Sequence, residues 1–323
     1  MNLKSLQDLL ILRFKDLALL AALIMTPLSY ASDINLDLRQ NAWIGDEEQV
    51  MHLLERGADP NSKTIFGKSA LMFAVEEGND VVADILIAKG ANVNAKTVAG
   101  CTALTFASEG GYTKIAEILL ELGAKSETKT RAGWDALMIA TRYNHLDMMS
   151  LLIKHRAYIN TADKDGMTAL MTAAEKGLLK ATRLLLDSGA DLHIRNREGA
   201  SALMLAAGNG RFNVVELLLQ RGANIQALSS DGATALFWAA ANGHSNTVKL
   251  LLQKGADINH QDLEGGTALM EAVLAGKTNV VKLLLDHGAD SLLQDKDGMK
   301  ALDCAVKNRH ADIQQLLQGA LDR

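Results

Sequence analysis

From residue 33 onward the apolar and polar positions fall into pairs of short helical stretches, each closed by a glycine, and the pair recurs along the chain. The stretch from Gly166 to Gly199 shows the unit most plainly. Thr168 is placed to cap a helix, because its hydroxyl can accept one of the free backbone N–H groups of a first turn. Ala169, Leu170, Met171, Ala173 and Ala174 then give that helix an apolar stripe. Gly177 can take the left-handed conformation that ends it. A second helix is expected from about Leu178 to Asp187, burying Leu184 and Leu185, with Gly189 as its stop. Ala190 to Gly199, rich in Asp, Asn, Arg and Gly, reads as an extended return and a tight turn into the next cap.

The unit has a fixed length. The glycine of the Gly-Ala pair stands at Gly57, Gly90, Gly123, Gly189, Gly222, Gly255 and Gly288, a step of 33 residues with Arg156 in the one vacant slot. The turn glycine keeps the same step at Gly67, Gly100, Gly133, Gly166, Gly199, Gly232, Gly265 and Gly298. Two markers in one phase define a solenoid. Helices this short are marginal alone, since isolated helices need roughly 12–15 residues, so each pair must be held by its neighbours.

A 33-residue unit of two helices and a β-turn, opening on a Thr-x-Leu element and closing on Leu-Leu-x-x-Gly-Ala-Asp-x-Asn, resembles the ankyrin repeat. The residues that carry the resemblance include Thr234, Leu236, Ala239, Gly243, His244, Val248, Leu251, Leu252, Gly255, Ala256, Asp257 and Asn259. Two positions depart from the family pattern. Ala replaces the usual Pro in all eight units from Ala70 to Ala301, and Met replaces the usual His at Met72, Met138, Met171, Met204 and Met270. The resemblance implies an all-α ankyrin-repeat solenoid of about nine units including caps. It also implies a non-catalytic scaffold that holds a protein partner in its concave face. Among relatives are periplasmic proteins that support oxidative-stress enzymes and others that neutralise toxins, and a secreted effector bound to a host protein is the alternative.

The ends of the chain differ from the middle. Lys4, Arg13 and Lys15 precede an uncharged run from Leu17 to Leu28, and Ser29-Tyr-Ala31 follows, the order of a secretory signal peptide. Residues 1–31 are therefore expected to be removed on export, which places the mature protein in the periplasm. A membrane anchor through residues 17–28, or secretion, is the alternative, although the 12-residue run falls short of the roughly 20 that span a bilayer. Residues 32–66 read as a capping repeat, with Leu36, Leu38, Ala42 and Trp43 in a first helix, Gly45 as a break, and Val50, Leu53 and Leu54 inside a second. Seven repeats fill 67–297. Residues 298–323 read as a closing cap whose Lys307, Asn308, Arg309, Gln314, Gln315 and Gln318 supply the polar outer side.

Composition removes several functions. A formal charge of −5 without a long basic run gives no footprint for nucleic acid. Cys101 and Cys304 lie about six units apart, ~60 Å if layers stack ~10 Å apart, whereas a disulfide needs Cα atoms within ~7 Å. His145, His244 and His310 share one structural slot, and His155 and His287 share another. Without metal-ligand spacing, a phosphate loop or an apolar pocket around Glu76-Glu77 or Asp46-Glu47-Glu48, no catalytic residue, cofactor or metal site is expected. The chain is expected to be a monomer without a stable membrane span after cleavage.

The candidate site is therefore a surface. The ankyrin resemblance implies that positions beside the turn glycine and at the end of the first helix face the groove, and here they vary while the framework does not. They give Ile65, Val98, Arg131, Trp134, Arg142, Tyr143, Lys164 and Met167 as protein-binding residues. Trp134 is the outlier of its row: one reading has it standing on its turn beside Arg131, Arg142 and Tyr143, the residue types enriched at binding hot spots, and the alternative has it folded down onto its own repeat with the arginines solvated. Phe106 and Trp238 are expected to point into the stack. Arg156, forced into a left-handed conformation, is expected to mark a weak unit between Gly133 and Asp165, with Asn144 a milder case.

Overall fold

The computed structural model describes residues 33–321. The proposed signal peptide and its cleavage point lie outside them. Among the described residues are eighteen helices in nine pairs and no strand. The molecule is an all-α repeat solenoid.

The capping chemistry is as the sequence dictates. The Thr168 hydroxyl accepts from the backbone N–H of Met171 at 3.2 Å and opens the helix Ala169–Lys176. Gly177, at φ 77°, closes it, and Leu179–Asp187 follows. Within the second helix Leu185 is buried, whereas Leu184 sits at the edge of the apolar stripe and is only half-buried. The alanines that flank each Thr-x-Leu element are buried throughout, from Ala70 and Ala74 to Ala301 and Ala305. Successive first helices pack more closely than successive second helices. Small side chains permit that approach, while the Leu-rich second helices hold the other layer apart, so the stack bends toward the first-helix side. The methionines that replace histidine lie inside, with Met72, Met138, Met171, Met204 and Met270 all buried.

The units are stitched together at two places. On the turns, the N–H two residues before each glycine donates to the carbonyl one residue before the preceding unit's glycine. The series is Val98 to Phe66 at 2.8 Å, Arg131 to Ala99 at 2.7 Å, Lys164 to Ala132 at 3.3 Å, Arg197 to Asp165 at 2.9 Å, and so on to Lys296. The turn glycine is required twice over. Gly67 has φ +78°, and a Cβ there would lie 3.1 Å from Lys96 O of the next turn. Behind the second helices a ladder of amides does similar work. Asn61 donates to Gly90 O at 2.9 Å and accepts from Asn92 N at 2.7 Å. Asn94, Asn160 and Gln226 repeat both contacts.

The anomalous unit keeps its turn bonds but lacks both helix-stop glycines and one amide rung. Arg156 takes φ 61° and Asn144 φ 60°. Arginine can stand there because the corresponding glycines, such as Gly123 and Gly189, have nothing within 4 Å of an added Cβ, leaving backbone strain as the cost. The rung that would reach Arg156 belongs to Glu127, and a carboxylate has no N–H to give. Arg309, in the slot of Asn144, is also left-handed at φ 60°.

The first cap is a pair of helices, Ile34–Ile44 and Glu47–Glu55, separated at Gly45. Its helix Ile34–Ile44 buries Leu38, Arg39 and Ala42, but Leu36 and Trp43 are exposed. Among the described residues no unit precedes this helix in the stack, and Trp43 falls at the groove end of the helix. Its indole donates to Glu77 at 3.0 Å. In the closing cap Lys307, Asn308, Arg309, Gln315 and Gln318 are exposed, and Gln314 turns inward to donate to Ala305 O at 3.1 Å.

Candidate protein-binding groove

The turn row and the ends of the first helices line the bent side of the stack. Ile65 is 89% exposed and Val98 58% exposed, both on turn tips. Arg131 and Lys164 are exposed on the next two tips, and the Arg131 guanidinium donates to Val98 O at 3.2 Å.

Trp134 does not stand free in water. It is half-buried against the core, and its Nε1 donates to Asp163 Oδ2 at 2.9 Å. The Arg142 guanidinium lies over the ring, 4.8 Å from its centroid. The turn leans this aromatic onto its own first helix because Arg142 and Asp163 supply partners for both its face and its N–H. The other oxygen of Asp163 accepts from Met167 N at 2.9 Å, so Trp134, Arg142 and Met167 form one group around it. Tyr143 belongs to a second group. Its hydroxyl donates to Glu109 at 2.9 Å, and its ring stacks on His145 with centroids 6.3 Å apart. Ile65 lies two units away from both.

Sequence reading missed Asp163 and Glu109, because each acts across a unit boundary. Phe106 and Trp238, expected inside the stack, are only half-buried. The Lys68 ammonium sits 4.8 Å from the Phe106 ring centroid, which puts a face of that ring in the groove. Trp238 lies against Gly208, where a Cβ would be 3.0 Å from the indole. Glu76 and Glu77 are likewise engaged, with Lys68 and Trp43 respectively.

The titratable groups carry structural signatures. The histidine slot contacts the preceding unit, with His145 Nε2 2.9 Å from Glu109 O and His244 Nε2 3.0 Å from Gly208 O. Burial pushes the Asp135 carboxyl above its ordinary range, opposed in part by the Thr161 hydroxyl and the Met138 N–H that it accepts. Burial likewise raises the Cys101 and Cys304 thiols, and both are free. Among the described residues no cluster of His, Cys, Asp and Glu could hold a metal ion, and no helix is long and apolar enough to cross a membrane.

A family model for ankyrin repeats, described as three copies of the repeat, matches residues 38–130, 122–196, 181–262 and 257–321. The chain belongs to the ankyrin repeat family, whose repeats generally mediate protein–protein interaction. Comparison with curated proteins gives no match.

Proposed function

We propose that this protein is an exported, non-catalytic scaffold that binds a protein partner through the concave side of its ankyrin array. The observation that carries the reading is where variation falls. Residues repeated from unit to unit, such as Leu71, Leu104, Leu137 and Leu170, are buried. Those that differ, such as Ile65, Val98, Arg131 and Lys164, are displayed on turn tips held in register by backbone hydrogen bonds. A rigid comb with interchangeable teeth favours recognition, since little ordering entropy is lost on binding. Export rests on the order of charged, apolar and small residues in 1–31, and the periplasm is the compartment it favours. Support of an oxidative-stress enzyme and neutralisation of a toxin are both roles that such a scaffold can fill.

The test is affinity capture by the mature chain from cell-envelope extracts, followed by titration of each purified candidate partner. A genuine partner loses affinity when groove residues are changed. One that binds groove variants and the original chain equally would refute the reading.

A further inference from the structure

We infer that the first three units of the groove form a docking site for a basic amphipathic helix of the partner, apolar on one face and bearing Lys or Arg along one flank. This rests on the reading that the groove binds protein, and adds the place and the chemistry of what binds.

Three surfaces meet there. The rim is apolar, with Ile65 89%, Phe66 69% and Val98 58% exposed. Phe66 and Val98 are neighbours, joined by the 2.8 Å bond from Val98 N to Phe66 O. The next three tips are charged, at Arg131, Lys164, Asp165, Arg197 and Glu198, and the later apolar tip Leu263, 60% exposed, stands between Ser230 and Lys296 on the adjacent tips, so two successive apolar tips occur only on the first two turns. The floor is aromatic. Phe73 and Phe106 are half-buried, and the Lys68 ammonium bridges them at 4.3 and 4.8 Å from the ring centroids. The far wall is acidic, made of Glu76, Glu77 and Glu109 at the ends of successive first helices, and Trp43 and Ile44 extend it in the first unit.

Contiguous apolar surface left in water marks an interaction site. The charges say of what kind. Lys68 is paired with Glu76, which leaves Glu77 and Glu109 as uncancelled anions. Each accepts a neutral hydrogen bond, from Trp43 and Tyr143, which uses a lone pair and leaves the charge in place. Among the nearby cations, Lys63 and Lys96 lie on the segments leading into the rim, two residues before Ile65 and Val98, and Arg142, which follows Glu109 in the row of first-helix ends, is engaged over the Trp134 ring. A ligand that fills this trough needs an apolar sector next to a basic one. A strand points its side chains to two opposite faces, whereas a helix presents a continuous stripe with a polar flank beside it. Units stacked ~10 Å apart match seven residues of helix, which rise ~10.5 Å, so bases seven apart would reach Glu77 and Glu109 together.

The experiment uses the purified protein and three fluorescent synthetic peptides of one length. One is a helix former with leucines on one face and lysines every seven residues on one flank. The second carries glutamate in place of those lysines, and the third is a scramble of the first. The lysine peptide should bind at least tenfold tighter than either control and weaken as salt is raised. Phe66→Ser with Val98→Ser should cost at least tenfold, and Glu77→Lys with Glu109→Lys should invert the preference between the first two peptides. These positions are exposed, and unchanged thermal melting would verify that the variants fold. Failure of the lysine peptide to bind, equal binding of all three, or indifference to the rim variants would overturn the inference. Loss on Trp134→Ala in place of the rim variants would also overturn it, while leaving the general reading of the groove intact. The general reading falls separately, if an envelope partner ignores every groove variant.

Discussion

Trp134 and Asp163 join two successive turns, the indole N–H donating to the carboxylate at 2.9 Å across 29 residues of sequence. The same carboxylate orders its own turn by accepting from Asp165 N and Met167 N, each at 2.9 Å. One side chain therefore fixes a turn and ties it to the turn before it.

Trp134→Ala should consequently lower stability, by about 2 kcal/mol, less than the 3–5 typical of a fully buried tryptophan because the ring is half-buried. Trp134→Phe keeps the surface beneath Arg142 and loses only the N–H, so it should cost about 1 kcal/mol. Denaturant unfolding of both variants checks the order. A loss of partner affinity in Trp134→Ala can be assigned to contact only if Trp134→Phe, which keeps the platform, retains affinity.

The unit Gly133 to Asp165 should be the soft joint of the array. Arg156→Gly removes a strained left-handed residue and should stabilise by about 1 kcal/mol. Glu127→Asn restores an amide that can donate to residue 156, as Asn94 does to Gly123 O at 2.9 Å, and should add about 0.5–1 kcal/mol. Because solenoid stability sums local and interface terms, hydrogen exchange in the original chain should be fastest in this unit among the interior ones, and both substitutions should slow it there. Uniform exchange across the interior would contradict the assignment.

Asp135 should make stability depend on pH. Its folded pKa is raised by burial, so the protonated carboxyl favours the fold. That contribution is fully present below the ordinary aspartate range and is lost as pH rises through the raised value. Asp135→Asn keeps the cap on Met138 N and cannot ionise. It should flatten the stability profile in the window just above the ordinary aspartate range, as read by unfolding at a series of pH values. An unchanged slope there would contradict the assignment.

Export should be visible in mass. The protein recovered from envelope extracts is expected to begin at Ser32. An intact mass that retains Met1 to Ala31 would rule out cleavage at that point.

Much of the fold was legible because a repeat states its rules many times over. The 33-residue step, the Thr168 cap, the stops at Gly177 and Gly189 and the exceptional Arg156 are local matters of backbone conformation and periodicity, and each holds in the structure. What periodicity could not supply is which partner each variable side chain takes. Trp134 was legible as an exception but not as a residue that leans under Arg142, because that contact and Asp163 appear only when one turn is laid against the next. The placement of Phe73 and Phe106 beneath one lysine, and of Glu76, Glu77 and Glu109 along one wall, has the same origin. Sequence determines which residues each unit displays. The stacking of units, set by how closely small alanines let first helices approach, decides which of them meet.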